Sequence, residues 1–293
     1  VTIDGATGNA VIYKNGVAIA SNTLTMPNAV ARTSNFLGKD NWTNDPYFGG
    51  QMDEVAFYDK ALSAGQIRYH YDLGSARGSL LDRFSATTGN FGVELQNADN
   101  VTLDDLNITG AYEAIHSTST GAGDASSFLT ISNGSVFGNN NAGIDVDQYS
   151  DHALVNNETA FGLSSDGIGG NDQAYGIYLA GSTSSVTGST AHEDSNTGIT
   201  VLGDNSIVSG STAYNDGTGI TVQGSASQGT GNLVYGNSVG IFGSYNGGLT
   251  GVTLSNNTAH DNTSSGVYAS NGATASNNSA YAQTANNATG IRV

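Results

Sequence analysis

A short motif, Gly-Ile/Val-x-apolar, returns along most of this chain and restricts the folds open to it. From Gly176 its copies recur at an almost constant interval, at Gly198, Gly219 and Gly240. Apolar residues alternate within each copy, which is the period of a strand and not of a helix. A short repeat of this kind must stack on its neighbours to bury its inner face, so the sequence predicts a solenoid of strands. The copies begin at Gly92, Gly143, Gly176, Gly198, Gly219, Gly240, Gly266 and Gly290, with Ala114 in a degenerate copy.

Composition favours many short strands joined by tight turns. The 293 residues include 41 Gly, 2 Pro and no Cys, and 11% are charged. The lack of Cys excludes a disulfide framework and a thiolate metal site. No apolar run is long enough to cross a bilayer, so we expect no membrane insertion. Because the chain begins without a signal peptide and stops inside a repeat, we expect it to be part of a longer protein.

Charge is divided unevenly along the chain. Residues 1–83 hold seven basic and eight acidic residues, a net −1, whereas residues 84–293 hold Arg292 against seventeen acidic residues, a net −16. Nucleic acid binding requires cations against phosphate, so nucleic acid is excluded as a partner of the repeat region. The same deficit of cations argues against direct docking of polyuronates or other anionic polymers.

The first 75 or so residues carry no such repeat. Residues 11–19 alternate around Asn15-Gly16, which predicts a hairpin with a tight turn. A strand is predicted at 49–58, followed by a short helix with capping-box spacing between Ser63 and Gln66 and a stop at Gly74.

Three of these motifs resemble, in order, the C-terminal part of the LamG-like, concanavalin A-like jelly-roll family. They are Tyr13 to Gly16, Phe48 to Tyr58 and Ala61 to Ile67. The resemblance covers about the last third of such a domain, and we assign it residues 1–76. It implies a carbohydrate- or protein-binding module whose sheet edges are open unless other sequence covers them. No ligand residues can be transferred, because the first strands of the sandwich are missing.

Residues 77–293 resemble the right-handed parallel β-helix family of the pectate-lyase-like superfamily. Each coil has a Gly-Ile strand, a second apolar segment such as Val101–Leu103 or Val252–Leu254, and a third motif that ends in an aromatic residue. The expected fold is therefore all-β, a partial jelly-roll sandwich followed by about nine coils of β-helix. Aligned coils place one set of rings in a single column, with Asn-rich turns beside it. The rings are Phe137, Phe161, His192, Tyr214, Tyr235, His260 and Tyr281.

Some intervals between motifs are longer than one coil, which predicts insertions. The interval from Gly143 to Gly176 is clearly longer than the next one, from Gly176 to Gly198. Strands cannot lengthen without losing register, so the extra residues form loops. The predicted loops are Ser117 to Ser127, Ser164 to Ala174 and Ser244 to Gly248.

The middle residue of each Gly-Ile copy is predicted to face solvent, forming one stripe down the stack. Glu94, His116 and Asp145 fall on three consecutive coils, so the two carboxylates are about 9 to 10 Å apart. That is near the upper limit for the acid and base of an inverting glycosidase. These three are the candidate catalytic residues, and Tyr178, Phe242 and Tyr268 are candidate platforms for sugar rings. The alternative is that an acidic β-helix places carboxylates on its surface without function.

Carboxylates near the longest insertion suggest a calcium site. The candidate ligands are Asp145, Asp147, Asp151, Asp166 and Asp172. Calcium takes several hard oxygen ligands in flexible geometry, but no EF-hand or nonapeptide spacing is present. A solvated acidic turn is the alternative. His192 and His260 occupy the predicted ring column, where stacking explains them without a functional role.

Three functions remain open from the sequence. The first is a non-enzymatic extracellular module of a secreted surface or matrix protein, acting as a rigid spacer that binds glycans or surface polymers. The second is a polysaccharide-degrading enzyme acting on a neutral glycan through Glu94 and Asp145. The third is a subunit of an extracellular fibre or phage-type spike that associates end to end.

Overall fold

A computed structural model describes residues 1–26, 58, 60–64, 67, 71, 79–82, 88–162, 173–245 and 251–293. The chain forms two compact units, Val1–Ser75 and Ala76–Val293. Among the described residues, no helix is both long enough and apolar enough to span a membrane.

The first unit contains a three-stranded antiparallel sheet, β1 (Thr2–Ile3), β2 (Asn9–Lys14) and β3 (Val17–Thr23). The predicted hairpin is confirmed, because β2 pairs with β3 and Asn15 and Gly16 connect them with φ of 52° and 74°. Both residues are in the left-handed region that a two-residue turn needs. The strand predicted at 49–58, except for Tyr58, and most of the predicted helix lie outside the described residues. Within the predicted helix, Ile67 N–H donates to the Ser63 carbonyl at 3.1 Å.

The second unit is a right-handed parallel β-solenoid of about eight turns. Its strands form three sheets, each with parallel pairing between neighbouring coils. The Gly-Ile sheet contains β5 (Phe91–Leu95), β8 (Glu113–Ser117), β11 (Ala142–Val146), β14 (Tyr175–Leu179), β17 (Thr197–Val201), β20 (Thr218–Val222), β23 (Val239–Ser244), β26 (Ser265–Ser270) and β29 (Thr289–Arg292).

The other two sheets complete each coil. The middle sheet contains β6 (Thr102–Asp104), β9 (Thr130–Ser132), β12 (Leu154–Asn156), β15 (Ser185–Thr187), β18 (Ile207–Ser209), β21 (Gln228–Thr230), β24 (Thr253–Ser255) and β27 (Thr274–Ser276). The aromatic sheet contains β4 (Ser79–Asp82), β7 (Leu106–Thr109), β10 (Ser135–Phe137), β13 (Thr159–Phe161), β16 (Thr190–His192), β19 (Thr212–Tyr214), β22 (Leu233–Tyr235), β25 (Thr258–His260) and β28 (Ser279–Tyr281). The predicted all-β fold and three-strand coil are confirmed.

The core consists of columns of inward-facing, mostly apolar residues, and a Gly-Ile strand contributes two of them, such as Ile177 and Leu179. Ile144 pairs in register with Ile115 and Ile177, and all three are at most 1% exposed. Val186 of the middle sheet and Ala191 of the aromatic sheet are also fully buried. Alternation along each strand therefore sends one residue into the core and the next outward.

Polar ladders run along the inside of the turns and tie each coil to the next. In one of them, Asn237 N–H and Nδ2 both donate to Asn262 Oδ1 at 3.1 Å, and Asn237 Nδ2 also donates to the Ala213 carbonyl at 3.1 Å. A serine ladder does the same elsewhere, since Ser184 N–H donates to Ser206 Oγ at 3.1 Å. These ladders satisfy buried backbone groups that the strand pairing leaves free.

The Asn-rich turns contain left-handed residues, and their amides hydrogen-bond from coil to coil. Asn257 Nδ2 donates to Asn278 Oδ1 at 2.9 Å. Asn157, Asn256 and Asn277 have φ of 54°, 57° and 53°. Of the predicted loops, Ser117 to Ser127 connects β8 to β9, whereas most of the other two lies outside the described residues.

Candidate functional site

The predicted stripe exists as one column of paired residues on the Gly-Ile sheet. Glu94 pairs with His116, His116 with Asp145, and Asp145 with Tyr178. The pairing continues without interruption through Thr200, Thr221, Phe242, Tyr268 and Arg292. We call these nine residues the outer column.

Exposure along the outer column differs from the prediction that every member faces solvent. Glu94 and Arg292 are exposed, Thr200 is buried, and the other members are half-buried. Coils spaced about 4.8 Å apart leave little room around side chains that lie directly over one another. Most side chains of the outer column are therefore partly covered, and their polar and charged groups are partly shielded from water.

A cluster of two carboxylates and one imidazole lies near the start of the outer column. One ligand atom each of Glu113, His116 and Asp145 lies within 4.8 Å of the others. Glu113 Oε2 contacts His116 Nδ1, and Asn141 Nδ2 donates to Glu113 Oε1 at 2.7 Å. We call Glu113, His116 and Asp145 the carboxylate-histidine cluster.

Glu113 reaches His116 from the beginning of the same strand. Both belong to β8, three residues apart, and Phe91 of the preceding coil stacks on the His116 ring with centroids 4.1 Å apart. The Phe91 ring and the Glu113 carboxylate hold the imidazole in one orientation. Glu113 is not predicted from the sequence, because residues three apart in a strand are expected on opposite faces of the sheet.

The cluster shifts the pKa values of its own members. Burial raises the pKa of Asp145 to about 7, with a further increase from the charge of Glu113 and a decrease from that of His116. For His116, burial lowers the pKa, but the hydrogen bond and charge of Glu113 and the charges of Asp145 and Glu94 more than offset it, so the pKa is raised. Burial also raises the pKa of Tyr178, with the charge of Asp145 adding to it. The cluster therefore includes one carboxyl group, that of Asp145, whose pKa lies near neutral pH.

The candidate sugar platforms lie in two places on the outer column. Tyr178 packs edge-on against Tyr175 with centroids 5.4 Å apart. Phe242 and Tyr268 are neighbours with centroids 5.3 Å apart, and the Arg292 guanidinium lies 4.6 Å from the Tyr268 ring centre. Thr200 and Thr221 occupy the two coils between them, so Tyr178 and Phe242 are about 14 Å apart along the axis.

The predicted calcium ligands do not assemble among the described residues. Asp147 accepts hydrogen bonds from Ser119 Oγ at 2.6 Å and Tyr149 N–H at 2.7 Å on one oxygen, and from Ser117 and Ser150 hydroxyls at 2.9 Å on the other. Its carboxylate therefore stabilises the turn after β11.

The other predicted calcium ligands are placed differently. Asp151 accepts from Ser182 N–H at 2.7 Å, and Asp166 and Asp172 lie outside the described residues. Asp145 contributes instead to the carboxylate-histidine cluster.

The aromatic column is confirmed on the aromatic sheet. Seven rings stack from Phe137 to Tyr281, with adjacent centroids 4.6 to 5.2 Å apart. His192 lies between Phe161 and Tyr214, and His260 lies between Tyr235 and Tyr281. Both histidines are explained by ring stacking.

Comparisons with known proteins support the two-part architecture. Residues 1–68 match the model of the concanavalin A-like lectin/glucanases superfamily, and residues 168–293 match that of the right-handed beta helix region. A solved structure, described as the crystal structure of pectate lyase Pel9A, is similar with a TM-score of 0.44 and 19% identity, over 69% of this chain and 59% of that chain. This chain therefore spans less than two thirds of that lyase. No curated protein matches the sequence.

Proposed function

We propose that this protein is a carbohydrate-binding segment of a secreted surface or matrix protein, in which the β-solenoid is a rigid spacer that also binds a neutral glycan. The observation that carries the proposal is the outer column, where half-buried rings and the threonines between them follow one another in register. A glycan chain lying along the axis would meet these groups in sequence.

The chemistry of the outer column suits a neutral sugar polymer. Tyr178, Phe242 and Tyr268 offer ring surfaces against which the apolar faces of sugars pack. Thr200 and Thr221 lie between the rings, and the Thr221 hydroxyl can donate and accept hydrogen bonds. The sequence from Phe84 to Ile291 has no Lys or Arg, so a polyanionic glycan would lack counter-charges along most of this face. The similarity of residues 1–68 to a superfamily of lectins and glucanases adds support from the other unit.

Binding to a panel of neutral glycans and polyuronates tests this proposal. We expect selective binding of neutral glycans and a loss of about 10-fold, or about 1.4 kcal/mol, for Phe242→Ala or Tyr268→Ala. Tyr281→Ala is the matched control, because Tyr281 is an exposed ring on a different sheet. Binding to none of the glycans, or equal losses in all three variants, would overturn the proposal.

A second candidate function is glycan hydrolysis at the start of the same column. Glu94 and Asp145 both pair with His116 from opposite sides, so their coils are two steps apart, about 9.6 Å. An inverting glycosidase needs an acid and a base at a comparable separation, with a water between them. Release of reducing ends from a bound glycan, abolished by Glu94→Gln and by Asp145→Asn, would establish it. Unchanged release in both variants would eliminate it.

A further inference from the structure

We propose that the carboxylate-histidine cluster binds one divalent first-row transition metal ion such as Zn²⁺. Glu113, His116 and Asp145 each offer a ligand atom, and these atoms lie within 4.8 Å of one another. An ion placed among them would have two carboxylate oxygens and one imidazole nitrogen, which are donor types that Zn²⁺ takes in sites with three protein ligands.

The burial of Glu113 is the second observation that points to a cation. Its side chain is 4% exposed, and its Oε2 is in contact with His116 Nδ1 without a hydrogen bond to any other described residue. A buried carboxylate costs several kcal/mol unless a positive charge or several hydrogen-bond donors accompany it. Asn141 supplies one donor, to the other oxygen. The second oxygen, Oε2, contacts the imidazole of His116 within the cluster.

The surrounding sequence offers little positive charge to balance these carboxylates. Glu94, Glu113 and Asp145 all act electrostatically on His116. The nearest basic residues in sequence are Arg83 and Arg292, and none occurs between them. A bound divalent cation would neutralise this local excess of negative charge, which a single imidazolium only partly offsets.

The donor types select the class of metal. Imidazole is a good ligand for zinc and related ions, whereas calcium takes six to eight oxygens. The cluster has one nitrogen and two carboxylates, so it suits a small ion with three protein ligands and water in the remaining positions. Phe91 stacks on the imidazole and Asn141 donates to Glu113, so both ligands are already oriented.

Equilibrium dialysis with Zn²⁺ on the full chain, after exhaustive treatment with a chelator, tests the proposal. We expect one Zn²⁺ per chain and affinity reduced by at least 10-fold, relative to the unaltered chain, in His116→Ala and in Asp145→Asn. Asn141→Ala, which alters only the residue that orients Glu113, is expected to weaken affinity by about 10- to 100-fold. Visible absorption of bound Co²⁺ gives a second readout that is sensitive to the ligand set.

Two variants serve as controls for nonspecific binding to an acidic protein. Asp151→Asn and Asp204→Asn each remove one negative charge but no member of the cluster, so both should bind Zn²⁺ as the unaltered chain does. Glu113→Gln changes the most buried ligand, so circular dichroism is used to check that this variant folds. If it does not fold, Asp145→Asn still tests the proposal. The absence of stoichiometric binding, equal losses in the controls, or a preference for Ca²⁺ would overturn the proposal.

Discussion

At the scale of single residues, the glycine of the Gly-Ile motif is required by close contact between coils. A Cβ added at Gly143 would lie 2.6 Å from the Gly176 carbonyl oxygen and 2.7 Å from Val136 Cγ2. The neighbouring backbone cannot withdraw without disturbing the strand pairing on both sides. The periodic glycine is thus a consequence of packing inside a narrow coil.

Replacing this glycine should destabilise the protein. We expect Gly143→Ala to lower the free energy of unfolding by about 1–3 kcal/mol, the range for overpacking a filled core. Gly123→Ala is the matched control, because a Cβ at Gly123 has no heavy atom within 4 Å. Urea denaturation of both variants measures the difference, and equal stability would show that the contact is not limiting.

Two buried aspartates occupy positions in a polar ladder where other coils have asparagine. Asp216 Oδ1 accepts from Asp194 N–H at 2.9 Å, and Asp216 N–H donates to Asn237 Oδ1 at 2.9 Å. The second oxygen of each carboxyl has no hydrogen-bond partner among the described residues, whereas the Asn237 amide donates from the corresponding atom. A protonated carboxylic acid supplies that missing donor.

The protonated form is favoured by burial. Burial raises the pKa of Asp216 to about 8, with a partial decrease from the Asp194 N–H bond and an increase from the charge of Glu193. Burial, followed by the charge of Asp216, raises the pKa of Asp194 well above its usual range. The hydrogen bond from Gln173 lowers this pKa, and the charge of Glu193 raises it.

The stability of the protein should therefore fall as pH rises. Because the folded state keeps these protons to a higher pH than the unfolded state does, their contribution is complete below about pH 4 and is lost as pH passes through about 8. Asp194→Asn with Asp216→Asn should raise the free energy of unfolding at pH 8 by about 1–3 kcal/mol and change it little at pH 4. Urea denaturation at the two pH values measures this, and an equal effect at both would contradict it. Some slope should remain, because burial also raises the pKa of Glu158 to about 7.

At the scale of elements, the aromatic sheet depends on continuous ring stacking. Tyr235 has ring centroids 4.9 Å away on Tyr214 and 5.1 Å away on His260, nearly parallel on both sides. Each such pair contributes about 0.5–1.5 kcal/mol beyond its buried area. The aromatic column therefore holds successive coils at one spacing.

Interrupting the aromatic column should cost more stability than changing the chemistry of one ring within it. Tyr235→Ala loses two stacked pairs and should destabilise the protein by about 1–3 kcal/mol. His192→Phe keeps both pairs and removes a buried Nδ1 that has no hydrogen-bond partner among the described residues, so stability should be unchanged or higher. Thermal unfolding of both variants provides the comparison. A larger loss for His192→Phe than for Tyr235→Ala would assign His192 a role other than stacking.

The columns were predictable because the coil length is nearly constant. Coils of almost equal length place Thr200 over Thr221 and His192 over Tyr214, so counting along the sequence was enough to identify the neighbours. Glu113 was not predicted, since it precedes the degenerate Ala-Ile motif and reaches His116 along the strand. Partial burial of Asp145 and full burial of Thr200 depend on neighbouring side chains, which the alternation of a strand does not specify.

At the scale of the whole molecule, the β-solenoid is a one-dimensional stack in which every proposed binding surface depends on register. The outer column, the aromatic column and the carboxylate-histidine cluster all consist of residues from successive coils. A slip of one residue in any coil would move its outer residue to the core. The proposals for glycan and metal binding therefore share one premise, that adjacent coils are aligned residue for residue.

Disulfide formation between introduced cysteines tests this premise most directly, since the chain has no Cys of its own. Thr200 and Thr221 are paired on adjacent coils, about 4.8 Å apart, within the range that a disulfide spans. Thr200 and Phe242 are two coils apart, about 9.6 Å, which is beyond that range. We predict that Thr200→Cys with Thr221→Cys forms an intramolecular disulfide in the folded protein and that Thr200→Cys with Phe242→Cys does not. Cross-linking of the second pair, or of neither, would contradict the alignment.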